Sequence, residues 1–371
     1  MTGTATPWAP WVMTPADMQK AWTDFARKWA AMPGVIEAAK NTRVGATPTE
    51  TAFAIDKIRL LHYVTDCPQA FDTPLLVVFA LINRPYILDL REGKSVVRHF
   101  IDAGFDTYNL DWGIPTHGDR HLGMRDYILR YMDGMVDHLR EKTGQDQVNL
   151  LGYCMGGSMG AMYTALFPEK IKNLILLAAP VDWTNRDHLL ARFTDPDYFD
   201  VDRLIDVHGN APADMLQWSF TLLKPVSNLV EKYFNFYEHM DDPKYLENFF
   251  AMETWLNDNI PVAGAMFREF VKYCMQENRL IQGRLEIGGR RVDLQRIQCP
   301  VLNLMAEQDH LVPCGLSAPL NDVVSSTDKK AVRFPAGHIG MAVGSKANRE
   351  LWPEAARWLS ERTDPSARKN A

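Results

Sequence analysis

Cys154 stands in the run Gly152-Tyr153-Cys154-Met155-Gly156-Gly157, directly after the apolar stretch Val148 to Tyr153 and directly before a helical pattern, Ser158 to Leu166. A strand, a tight glycine-flanked turn and then a helix is the setting in which a nucleophile is presented on a strained elbow. Gly152 and Gly156, two residues to either side of the cysteine, leave room for that turn. A helix start favours a thiolate and turns its first backbone N–H groups toward a developing oxyanion, which makes Met155 N–H a candidate donor. The other four cysteines, Cys67, Cys274, Cys299 and Cys314, lack an elbow and read as structural.

A thiolate nucleophile needs a base, and the base needs an orienting acid. On scaffolds with this elbow the two follow the nucleophile as acid, then histidine. Two strand ends supply them in that order: Glu307-Gln308-Asp309-His310 after Val301 to Ala306, and Pro335-Ala336-Gly337-His338 after Ala331 to Phe334. Asp309 and His338 are therefore the candidate acid and base. His310 is the rival base, although it adjoins Asp309 and neighbours on an extended segment point apart. Asp182, in Ala-Pro-Val-Asp-Trp, is the rival acid. A second oxyanion donor is expected in the loop after Leu75 to Leu81, at Ile82 or Asn83.

A thiol suits a substrate that is already a thioester, because thiol–thioester exchange is nearly balanced and a thiolate leaves well in both directions. The expected chemistry is acyl transfer rather than simple ester hydrolysis.

The elements that must position these groups recur through the chain. Leu75 to Leu81, Thr107 to Leu110, Val148 to Tyr153, Leu174 to Ala179, Val301 to Ala306 and Ala331 to Phe334 read as strands covered on both faces. Helical patterns fall between them, such as Asp126 to Lys142, so a parallel, doubly wound α/β sheet is expected. The rhythm stops after Trp183 and resumes at Val301, across a stretch rich in aromatic residues at helical spacing. The expected organisation is an N-terminal helical arm and linker over 1–51, a hydrolase-like core over 52–183 and 296–362, a helical inserted cap over 184–295, and a polar tail over 363–371. An insertion there forms a lid over the carboxyl ends of the strands.

Composition excludes several classes. The 371 residues are 46% apolar and 23% charged, which disordered and fibrous chains are not. A net charge of −6 gives no bulk attraction for nucleic acid. Five unpaired-looking cysteines without a Cys-x-x-Cys motif argue against a disulfide framework and a metal site, and point to a reducing cytoplasm. No signal peptide or membrane-spanning run is apparent.

In the arm, Thr14-Pro15-Ala16-Asp17 predicts a capped helix start. Met18, Trp22, Phe25 and Trp29 form a stripe along that helix, facing either its own core or a partner subunit or apolar surface, and Trp8 and Trp11 lie just before it. The nearest thing to a linker is Met32 to Thr51.

Several motifs together carry a resemblance. Gly-Tyr-Cys-Met-Gly-Gly at 152–157, Asn-Arg-Pro-Tyr-Ile-Leu-Asp-Leu at 83–90, Leu-Asp-Trp-Gly at 110–113, Ala-Pro-Val-Asp-Trp at 179–183, Asp-His-Leu-Val-Pro at 309–313 and Gly-His-Ile-Gly at 337–340 resemble the polyhydroxyalkanoate synthase catalytic subunits. Leu-Lys-Pro at 223–225 and Ile-Gly-Gly-Arg-Arg-Val-Asp-Leu at 287–294 extend the likeness through the insertion. The short length is similar to class III, which works with a non-catalytic subunit; class IV, with a different partner, stays open. The resemblance implies an α/β-hydrolase fold and polymerisation of 3-hydroxyacyl-coenzyme A, 3-hydroxybutyryl-coenzyme A foremost, with release of coenzyme A. Cys154 is then acylated, His338 deprotonates it and later a 3-hydroxyl, and Asp309 orients His338 or assists that hydroxyl. Coenzyme A is a leaving group, and neither a metal nor a redox cofactor is implied. The implied partners are the growing polymer, its granule surface and a second copy of the chain, in the cytoplasm. An esterase or depolymerase, or a non-catalytic granule-binding protein, are the alternatives. Trp255 and Asp258 match a family segment near the lid, with no chemistry assigned.

Overall fold

The computed structural model describes residues 14–366, so Trp8, Trp11 and the end of the polar tail lie outside it. Among the described residues two compact units result: residues 44–224 with 254–366, and residues 14–43 with 225–253. The sequence groups 184–295 as one insertion; in the structure its middle belongs with the N-terminal arm instead.

The larger unit is built on eight strands: β1 (Thr49–Ile55), β2 (Ile58–Tyr63), β3 (Leu75–Val78), β4 (Thr107–Asp111), β5 (Val148–Tyr153), β6 (Ile171–Leu177), β7 (Val301–Ala306) and β8 (Lys329–Phe334). Their order across the sheet is β1-β2-β4-β3-β5-β6-β7-β8. From β4 to β8 all neighbours are parallel. The β1–β2 hairpin and the β2–β4 pair are antiparallel, so the sheet is mixed rather than wholly parallel. This is the α/β-hydrolase arrangement, with helices between the parallel strands and an insertion between β6 and β7.

The reason lies in the strand sequences. β3, β5 and β7 are buried at every position, as expected of Val/Leu-rich strands covered on both faces. The edges differ: β1 is largely exposed, and β8 opens with Lys329 and Lys330 facing solvent, charges that discourage edge-to-edge pairing. At the carboxyl terminus Ser366 is buried, its N–H donating to the Ala70 carbonyl (2.7 Å) and its hydroxyl to Asp72 (2.6 Å). The tail thus begins by docking on the core.

The smaller unit pairs α1 (Pro15–Asn41) with residues 225–253. Thr14 and Asp17 form the anticipated capping box. Past that start, the linker expected from Met32 is instead three further turns of α1, which runs through Pro33. Proline inside a helix removes one hydrogen bond and crowds the preceding turn. Packing outweighs that cost here: Val35 is buried against Met240 and Leu246, flanked by Met32, Ala38, Phe236 and Phe250. On the same helix Lys28 is buried, its ammonium donating to Asp241 (2.9 Å) and to the Glu238 carbonyl. The aromatic stripe lies elsewhere. Trp22 is 71% exposed and Trp29 69%, with Phe25 between them at 51%.

Among the described residues, no helix is long and apolar enough to cross a membrane.

Candidate active site

Cys154 sits at the junction of β5 and the helix α2 (Met155–Leu166), with φ 56° and ψ −127°. A non-glycine residue in that region costs on the order of 1–3 kcal/mol and persists only where its surroundings over-determine it. They do so here. The Cys154 N–H donates to the Leu177 carbonyl at the end of β6 (2.8 Å), and its carbonyl accepts from Gly157 and Ser158 N–H (2.9 and 3.1 Å). A Cβ on Gly152 would lie 2.5 Å from the Gly157 Cα, and one on Gly156 would press into the Val78 and Phe79 carbonyls. The elbow closes only because both positions lack a side chain.

His338 and Asp309 converge on this turn from two other strand ends. Asp309 follows β7 and its carboxyl group is fully buried. Oδ1 accepts from the Leu311 and Val312 N–H groups, both at 2.8 Å, and Oδ2 accepts from His338 Nδ1 at 2.6 Å. His338, expected in a loop, opens a short helix, His338–Val343. Its other ring nitrogen is not engaged by Asp309, and Tyr153, the neighbour of Cys154, stacks on the ring. Burial disfavours the charged imidazole, but the charge and hydrogen bond of Asp309, together with the neighbouring Cys154, outweigh it. His338 is pushed up to about 10.

Neither rival reaches this cluster. His310 is exposed. Asp182 Oδ1 accepts from Thr184 N–H (2.9 Å), the Thr184 hydroxyl (2.6 Å) and the Asn278 amide (2.8 Å). Burial pushes the thiols of Cys274 and Cys314 up, and Cys299 up to about 12, all away from thiolate chemistry. Met155 opens α2, and Ile82 lies in the loop after β3. Neither residue's N–H donates to a loop or turn carbonyl among the described residues.

A family model for the alpha/beta hydrolase fold matches residues 84–345, and one for the poly-beta-hydroxybutyrate polymerase N-terminus matches 35–100. The poly(3-hydroxyalkanoate) polymerase subunit of Allochromatium vinosum is 41% identical over 94% of this chain and 98% of its own length. That of Haloarcula marismortui is 44% identical over 93% and 74%, and that of Synechocystis 41% over 87% and 86%. Among solved structures, an alpha/beta hydrolase fold protein from Chitinophaga pinensis superposes with a TM-score of 0.51 at 14% identity, covering 85% of this chain and 98% of its own.

The chain belongs to the poly(3-hydroxyalkanoate) polymerase family. Its members are acyltransferases, and the resemblance read from the ordered motifs holds over nearly the whole chain.

In this polymerase chain two features of the site escaped sequence reasoning. Tyr153, the residue before Cys154, stacks on the His338 ring (centroids 5.0 Å apart), and its hydroxyl donates to the His338 carbonyl (3.0 Å). A buried aromatic residue inside a strand carries the same sequence signal as any core residue. The second is the bracing of the loop after β3. Trp255 Nε1 donates to the Arg84 carbonyl (2.8 Å), and Asp258 accepts from Arg84 Nε (3.2 Å) and the Tyr86 hydroxyl (3.0 Å). The sequence marked both Trp255 and Asp258 without a role; their contacts are with the loop that bears Ile82 and Asn83. Among the described residues, no group of three or more His, Cys, Asp or Glu is placed to hold a metal ion.

Proposed function

We propose that this polymerase joins 3-hydroxyacyl units, 3-hydroxybutyryl-coenzyme A foremost, into a polyester through an acyl-Cys154 intermediate. The observation that supports the reading is the His338–Asp309 hydrogen bond, with the His338 ring stacked on Tyr153 next to the strained elbow at Cys154. Cys154 Sγ attacks the thioester carbonyl, and the N–H of Met155 with that of Ile82 or Asn83 holds the resulting oxyanion. The carbon–sulfur bond to coenzyme A breaks, and His338 protonates the departing thiolate. Neutral His338 then takes the proton of a 3-hydroxyl group, whose oxygen attacks the acyl-Cys154 carbonyl. An oxoester forms, and Cys154 leaves as thiolate beside the restored imidazolium. Asp309 accepts the Nδ1 hydrogen bond throughout, which keeps the other nitrogen aimed at the reacting atoms.

No electron is gained or lost in either half, so acyl transfer here draws on no redox cofactor, and the general base takes the place of a metal. The names of the relatives support polymer as product, and the thiol nucleophile supports a thioester as donor. A non-catalytic partner subunit, a second copy of this chain and an intracellular polymer granule complete the proposal.

Incubation with 3-hydroxybutyryl-coenzyme A tests it. Free thiol together with insoluble polymer is the expected result. Free thiol with soluble hydroxy acid assigns hydrolysis instead, and the absence of turnover assigns a binding role.

A further inference from the structure

The loop after β3 is held from one side by a single segment, Trp255–Ile260. The Ile260 N–H donates to the Ile82 carbonyl at 3.1 Å. Asn83 is hydrogen-bonded through its side chain to that of Asn259. Trp255 and Asp258 bind Arg84 and Tyr86 as described above. Five hydrogen bonds therefore run between residues 82–86 and 255–260. A trans peptide points its C=O and N–H in opposite directions. The bond to the Ile82 oxygen accordingly decides where the Asn83 N–H points, and the grip on Arg84 and Tyr86 fixes the next turn of chain.

We infer that Trp255 and Asp258 are positioning residues for acyl transfer, clamping the loop so that its backbone N–H groups meet the oxyanion formed at Cys154. The inference rests on the proposed acyl-Cys154 chemistry. Stability is not what the Asp258–Arg84 pair chiefly supplies. The Asp258 side chain is 41% exposed and that of Arg84 22%, and ion pairs so open to water contribute little. Donor placement is far less forgiving. Loss of an oxyanion donor costs roughly 10² to 10³ in kcat, and a shift of about 1 Å can cost as much.

The test compares Asp258→Ala and Trp255→Phe with the unaltered full-length chain in two reactions. Thiol release from 3-hydroxybutyryl-coenzyme A passes through an oxyanion. Alkylation of Cys154 by iodoacetamide does not, and reports only on the thiol and its base. The expected result is a fall in kcat of about tenfold or more, with KM and the alkylation rate each within about twofold of the parent. Asp258→Asn, which keeps one acceptor, recovers part of the loss. Tyr86→Phe removes a single hydroxyl and leaves the fold intact, so it shows the same pattern in smaller measure even should the larger changes disturb folding. Unchanged kcat in these variants overturns the inference, as does a parallel fall in alkylation rate, which places the effect on the nucleophile. Turnover by Cys154→Ala overturns the underlying acyl-enzyme reading, an outcome visible without any Asp258 variant.

Discussion

Asp309 Oδ2 lies 2.6 Å from His338 Nδ1, and the carboxyl group that makes this contact is closed off from solvent entirely. Its second oxygen is taken by two backbone N–H groups, so the carboxylate is held on three sides before substrate arrives. Asp309→Asn preserves the shape but presents an NH2 group or a weaker acceptor to Nδ1. Thiol release is expected to fall by about 10³ to 10⁴. His310→Gln, at an exposed site, should leave the rate within about threefold, since surface changes away from a site are close to neutral. The opposite ranking in the same assay removes Asp309 and His338 from their roles.

The protonation of His338 also sets a pH signature. Its value is raised in the folded chain, to about 10, above the ordinary histidine value of 6.5. The folded state therefore binds more protons than the unfolded one between those values, and stability falls as pH rises through that window. The contribution is complete below about pH 6.5 and lost by about pH 10. Denaturant titrations across pH 6 to 10 should show the parent losing stability relative to His338→Gln. Parallel curves for the two proteins contradict the raised value.

Cys154 occupies backbone space that suits glycine. Replacement by alanine removes the thiol and retains the strain; replacement by glycine removes both. Cys154→Gly is expected to be more stable than Cys154→Ala by about 1 kcal/mol, with both inactive. Equal midpoints in urea, or a less stable glycine variant, argue that the elbow is not strained.

The exposed stripe of α1 separates surface from core in a similar way. Trp22→Ser with Trp29→Ser should change unfolding free energy by no more than about 0.5 kcal/mol, whereas Val35→Ala should cost about 1–3 kcal/mol. Thermal melts read the first difference directly. Retention on polyester particles should drop for the Trp pair and hold for Val35→Ala if the stripe meets the polymer surface; the reverse result assigns the stripe to the fold.

Much of this site was legible because its chemistry is local. The glycine spacing around Cys154, and the two strand ends carrying Asp309 and His338, are sequence features that the sheet order converts into contact. The parallel strands from β3 to β7 showed as apolar runs for the same reason, since strands buried on both faces need no alternation, whereas the edge strand β8, also expected to be covered, is exposed along most of its length. The β1–β2 hairpin did not show. Its turn is Asp56-Lys57, without glycine, and Asp56 itself adopts the left-handed conformation (φ 54°). The extension of α1 through Pro33 was equally hidden, because the residues that hold Val35 in place come from around Met240 and Leu246. Tyr153 and the Asp258 clamp depend on side chains brought together from distant parts of the chain. Nothing at their own positions announces the partner.

The pairing of α1 with residues 225–253 bears on how the chain is made. About 180 residues separate Asn41 from Pro225, and α1 leaves the ribosome long before the segment that shelters Val35. In that interval both faces of the helix are open, the aromatic one and the one destined for burial. The larger unit can also complete its sheet only after β7 and β8 are synthesised, later still. Biogenesis thus leaves a greasy helix waiting for most of translation, a period in which a chaperone or a nascent neighbour has first access to it.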